Sequence, residues 1–115
     1  VVKTKPPKLG DTAMPIGGSK YLFSKDNVDK APDEHGVYEL YDGDELIYIG
    51  RAAGTGVTIR TRLQAHRRGD EGRCTQRATH YRREVNSRPI GREAELIREY
   101  VTRYGRLPRC NERFA

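Results

Sequence analysis

The chain has 115 residues, of which 35% are hydrophobic and 33% charged, with a formal net charge of +6. That length points to one domain with one modest core. No apolar run approaches the ~20 residues needed to span a bilayer, and nothing at the start reads as a signal peptide, so membrane-spanning and secreted readings are set aside. The chain opens on Val1 rather than methionine. It is therefore read as a processed or excised piece whose flanks could carry further domains.

Charge is divided along the chain. Residues 1–50 hold six lysines and nine acidic residues, a balance of −3. Residues 51–115 hold sixteen arginines and seven acidic residues, a balance of +9. Guanidinium groups make forked hydrogen bonds to phosphate oxygens, so an arginine-rich half suits a phosphate-bearing partner. The cysteines are two, Cys74 and Cys110, and neither belongs to a Cys-x-x-Cys pair. Reduced thiols in a cytoplasmic protein are the expectation. A zinc site from Cys74, His80 and Cys110 fits no common ligand spacing.

Residues 1–20 contain Pro6, Pro7, Pro15, Gly10, Gly17 and Gly18. They read as an extended, poorly ordered arm, reaching to about residue 31, before a main domain over 32–115. Within that stretch, Tyr21 to Phe23 could add a short strand or dock on the core. Ser24 could cap one helical turn, which Pro32 ends. Residues 36–50, GVYELYDGDELIYIG, read as a β-hairpin turning through Asp42-Gly43-Asp44. A two-residue loop at Gly43-Asp44 would put Tyr38 and Tyr48 on opposite faces, whereas a three-residue loop or a bulge would put both on one face.

Residues 51–56 form a Gly-bearing loop, and a helix follows over about Thr58–Arg67. Ile59, Arg62, Leu63 and His66 share one face of it. Gly69–Arg73 reads as a loop and Thr79–Val85 as a third strand. Pro89 is well placed to start a last helix over about Ile90–Tyr104, stopped by Gly105 and Pro108. Its apolar stripe is read as Ile90, Ala94, Ile97, Val101 and Tyr104. The fold class is α+β, with a small antiparallel three-stranded sheet flanked by helices. On a wheel of ~100° per residue, Glu93 falls inside the arc of Leu96, Ile97, Tyr100 and Tyr104, while Glu95 and Glu99 fall with Arg92 and Arg103 on the solvated side. A carboxylate on an apolar face calls for a metal or an arginine partner, Arg62 or Arg82 for example.

The pair Gly36-Val37-Tyr38 and Tyr48-Ile49-Gly50, followed by an arginine-bearing helix, a glutamate-bearing helix and a late asparagine, resembles the GIY-YIG nuclease superfamily. The match covers about residues 34–111. Arg62-x-x-x-His66 is similar to the restriction-enzyme branch, and Glu93-Ala-Glu-Leu-Ile-Arg-Glu-Tyr100 to the glutamate helix of the excision-repair incision branch. Pro108-Arg109-Cys110-Asn111 has the shape of that branch's Pro-x-x-Asn, but arrives after a longer helix. Anchoring on Asn111 would promote Glu99, whereas helical position favours Glu93.

The resemblance implies a metal-dependent endonuclease acting on DNA phosphodiester bonds. It implies one Mg²⁺ or Mn²⁺ held by Glu93, with Tyr38, Tyr48, Arg62, His66 and Glu93 as catalytic residues. Tyr38 is preferred to His66 as general base, because His66 is expected near a fraying helix end. Tyr38 must overcome an ordinary pKa near ~10. Arg51, Arg60, Arg67 and Arg68 are candidate DNA contacts, and Asn111 a structural residue of the helix end or an active-site loop. The alternative is a non-catalytic nucleic-acid-binding module on the same fold. A module for acidic proteins ranks third. The small size implies that specificity comes from a homodimer or a domain outside this chain.

Overall fold

The structure, a computed structural model, describes residues 14–111. The first thirteen residues of the expected arm lie outside the described residues. In chain order the elements are β1 (Tyr21–Leu22), α1 (Lys25–Asp29), β2 (Gly36–Asp42), β3 (Glu45–Ala52), α2 (Ile59–Arg68), α3 (Arg73–Gln76), β4 (His80–Val85) and α4 (Pro89–Tyr104). The strands form one antiparallel sheet in the order β1-β4-β2-β3. The sheet thus has four strands rather than three. The fourth, β1, pairs only Tyr21 with Tyr81 and Leu22 with His80, too short a run to display an alternating pattern.

The hairpin combines both features that the sequence leaves open. Asp42 pairs with Glu45 around a two-residue loop. Gly43 has a φ of 62° while Asp44 stays at negative φ, a combination that fits a type II′ turn. A β-bulge follows, because Tyr41 pairs with Leu46 but Leu40 pairs with Tyr48. Ile47 is the extra residue, and it shifts every later side chain of β3 to the other face. Tyr38 and Tyr48 therefore lie on the same face of the sheet.

That face packs on α1 and α2. Its core is Phe23, Val28, Tyr38, Leu40, Ile47, Ile59, Leu63 and Tyr81. The opposite face packs on α4 through Val37, Ile49 and Leu96, with Ile16 from the N-terminal segment joining them. The boundary at residue 31 therefore does not divide the packing. Phe23, Val28 and Ala31 belong to the first core, and Ile16, only 4% exposed, to the second.

Caps set the helix ends. The Ser24 hydroxyl accepts from the Asn27 N–H at 3.2 Å. Thr58 and Thr61 form a reciprocal capping box, and Gly69 closes α2 in the left-handed conformation. His66 is held within the helix rather than left at a loose end, since α2 runs on to Arg68 and the Asp70 N–H also bonds back to the Ala65 carbonyl at 3.0 Å.

The packed face of α4 is rotated from the expected stripe. Ile90 and Tyr104 are 61% and 56% exposed, whereas Leu96 is buried. Pro89, Glu93, Leu96 and Tyr100 face inward at helical spacing. One member of that row is charged, so apolar residues alone marked the neighbouring stripe. Arg92 also leaves the solvated side assigned to it. It holds Glu84 through two hydrogen bonds of 2.8 and 3.0 Å and donates to the Met14 carbonyl.

Candidate active site

β3 is an edge strand, and a cleft of about 670 Å³ straddles its outer edge. Tyr48, Arg62, His66, Glu71 and Thr75 line it from the α2 side. Arg51 and Glu93 line it from the α4 side, with Cys110 and Asn111 closing the end. Six of the expected site residues, Tyr48, Arg51, Arg62, His66, Glu93 and Asn111, thus meet at one concavity, although 63 positions separate Tyr48 from Asn111.

The two motif glycines have a steric reason. A Cβ at Gly50 would lie 2.5 Å from Tyr38 Cζ and 2.6 Å from Tyr48 Cε2. A Cβ at Gly36 would lie 2.1 Å from the Glu84 carbonyl oxygen and 2.7 Å from Ile59 Cδ1. Glycine at these points lets the tyrosine rings lie over β3, and lets β2 approach β4 and α2.

Tyr38, 0% exposed, is sealed beneath the cleft. Its hydroxyl lies 2.9 Å from His66 Nε2. His66 is 1% exposed, and its Nδ1 lies 2.8 Å from Thr75 Oγ1. Burial pushes the Tyr38 hydroxyl well above the ordinary tyrosine range, and the Arg62 charge offsets only part of that. Burial, with the Arg62 charge beside it, pulls the imidazole of His66 down to about 4. The preferred base, Tyr38, is thus both inaccessible and hard to ionise. Tyr48 is the tyrosine that meets the cleft. Burial raises its pKa too, and the Arg62 charge is the main influence favouring its phenolate.

The charged residues are paired. Arg62 Nη1 donates to Glu71 at 3.1 Å, which holds the Glu71 carboxyl below the usual carboxylate range. Arg51 Nη1 donates to Glu93 at 2.7 Å, so Arg51, rather than Arg62 or Arg82, is the partner of this inward-facing carboxylate. The Glu93 side chain is 15% exposed, against 50% for Glu95 and 29% for Glu99. Among the described residues, no group of three or more His, Cys, Asp or Glu side chains gathers as a metal cage. A single carboxylate fits Mg²⁺ nonetheless, since that ion is commonly held by one or two carboxylates together with substrate phosphates and water.

The candidate DNA contacts differ in availability. Arg60 is spent on structure, its Nε donating to the Ala31 carbonyl at 2.8 Å. Arg68 pairs with Asp70 at 2.7 Å, and Arg67 is exposed on the same helix end. Asn111 clamps β3: its side chain accepts from the Ile49 N–H at 2.9 Å and donates to the Ile49 carbonyl at 3.0 Å. With the Cys110 N–H on the Ile47 carbonyl, this segment covers an otherwise open sheet edge.

Two features escaped the sequence reading. The stretch after Gly69 contains α3, which supplies Thr75, and Glu71 comes from the turn before it. Cys74 and Cys110 are joined as a disulfide rather than left as reduced thiols, linking α3 to the residue next to Asn111. Tertiary proximity brought together two cysteines 36 positions apart, and neither spacing nor composition marks that pairing. His80 contacts the Thr79 hydroxyl and takes no part with the cysteines. No helix among the described residues is long and apolar enough to cross a membrane. The chain matches no protein-family profile, no curated protein and no solved structure.

Proposed function

We propose that the chain is a metal-dependent endonuclease of the GIY-YIG type that hydrolyses DNA phosphodiester bonds. The observation that carries this reading is the convergence of Tyr48, Arg62, His66, Arg51 and Glu93 on one cleft at the edge of β3. Phosphodiester hydrolysis needs a positioned water and positive charge against the phosphoryl oxygens. Arg62 and Arg51 supply that charge, and a phosphate entering the cleft competes with Glu71 and Glu93 for them. Tyr48 orients the water and takes up its proton, with the Arg62 charge favouring the phenolate. Glu93 would hold the Mg²⁺ or Mn²⁺, which neutralises charge on the phosphate and the leaving oxygen when bound. Tyr38 and His66 support Tyr48 from behind, the Tyr48 and His66 rings lying 4.9 Å apart. A second copy or a further domain would supply sequence specificity.

The second reading is a nucleic-acid-binding module without catalysis. It is favoured by the Arg51–Glu93 pair, which occupies the carboxylate a metal would need. Incubation with plasmid DNA and Mg²⁺ or Mn²⁺, with and without chelator, separates the two. Nicking that chelator abolishes, and that Glu93→Gln removes while Glu95→Gln and Glu99→Gln do not, supports the nuclease. Salt-sensitive binding without nicking under any metal favours the module.

A further inference from the structure

We propose that Thr75 is a positioning residue, whose hydroxyl accepts from Nδ1–H of a neutral His66 and so fixes the plane of its imidazole. This rests on the reading of the cleft as a nuclease site and adds a residue to it. The direction of the hydrogen-bond chain follows from the donors and acceptors present. Tyr38 is fully buried, so its O–H needs an acceptor. His66 Nε2, at 2.9 Å, is its only one among the described residues, because the neighbouring Arg62 can only donate. Nε2 must then be unprotonated, and a neutral imidazole carries its proton on the other nitrogen. Nδ1–H therefore donates to Thr75 Oγ1 at 2.8 Å. Thr75 is 3% exposed but lines the cleft, so its own O–H is not confined to His66 as the O–H of the sealed Tyr38 is. The chain Tyr38 O–H, His66, Thr75 sets the plane of the imidazole, and that ring is the surface against which Tyr48 lies.

The placement of Thr75 depends on more than α3 itself. That helix has four residues and no side-chain cap at its start, and one turn has little stability alone. It is held at its neighbour Cys74 by the disulfide to Cys110, and its entry by the Glu71 carboxylate on Arg62. Thr75 therefore closely follows two anchored residues, which suits a residue whose hydroxyl must stay on one nitrogen.

The test compares wild type, Thr75→Val and Thr75→Ser as full-length chains. ¹H–¹⁵N NMR of the histidine side chains, without DNA or metal, reads the His66 tautomer and its Nδ1–H shift. All three should show the Nδ1–H form, because Tyr38 still needs Nε2 as its acceptor, and the Nδ1–H of Thr75→Val should lose the downfield proton shift of a hydrogen bond that wild type and Thr75→Ser keep. Single-turnover cleavage should fall on the order of ten- to a hundredfold in Thr75→Val, with DNA affinity unchanged and Thr75→Ser within a few-fold of wild type. An Nε2–H tautomer in the wild type overturns the proposal, as does a Thr75→Val chain whose Nδ1–H keeps the wild-type shift. If the Nδ1–H shift responds as expected but wild type cuts no DNA, the positioning of His66 stands and the nuclease reading fails.

Discussion

Replacing Gly50 with alanine is the sharpest steric test of the tyrosine arrangement. The added methyl would lie 2.5 Å from Tyr38 Cζ, 2.6 Å from the Tyr38 hydroxyl and 2.6 Å from Tyr48 Cε2. Carbon atoms rest about 3.5–4.0 Å apart, so both rings must retreat by roughly 1 Å. Tyr48 has room at the cleft wall. Tyr38 has none, being 0% exposed and hydrogen-bonded to the buried His66. Overpacking of this kind costs about 1–3 kcal/mol. In a domain of this size that lowers the melting temperature by roughly 5 to 20 °C. Gly91→Ala makes the same chemical change on α4, where nothing lies within 4 Å of the new methyl, and should leave stability unchanged or raise it by up to ~1 kcal/mol. Thermal unfolding followed by circular dichroism reads both. A Gly50→Ala protein melting within about 1 °C of wild type would refute the packing of the two rings over this glycine.

Reducing the Cys74–Cys110 bond, or replacing both residues with serine, should cost about 4 kcal/mol for a loop of this length; equal denaturation midpoints with and without reductant would show that the bond contributes nothing. His66, held near 4 in the fold against an ordinary 6.5, is depressed in the folded state. Its contribution is fully present above pH 6.5 and is lost as pH falls towards 4. Wild type should therefore lose on the order of 3 kcal/mol more than His66→Gln across that window, and parallel stability curves would contradict the buried neutral imidazole. Tyr48→Phe should reduce turnover on the order of 10²–10⁴-fold and Tyr38→Phe by less, since only Tyr48 meets the cleft; the reverse order, measured in single turnover, would return the base role to Tyr38.

Much of the local structure was legible in the residue order. Alternation with Asp42-Gly43-Asp44 marked the hairpin. Ile59, Arg62, Leu63 and His66 marked one face of α2, and Pro89 and Gly105 bounded α4. These signals are short-range, arising from backbone preference, capping and the 2.0 and 3.6 periodicities of strand and helix. Helical position alone also separated Glu93 from Glu95 and Glu99. Tertiary structure decided the rest. Whether Tyr38 and Tyr48 share a face depended on the bulge at Ile47, a choice between registers that packing against α1 and α2 resolves. The burial of Tyr38, which counts against the base expected of it, is a property of the whole core. Thr75, Glu71 and the Cys74–Cys110 bond became visible only once α3 was seen beside α2 and the C-terminal segment. Contacts between residues tens of positions apart leave no periodic trace in the chain, because their energy is realised only when separate elements have docked.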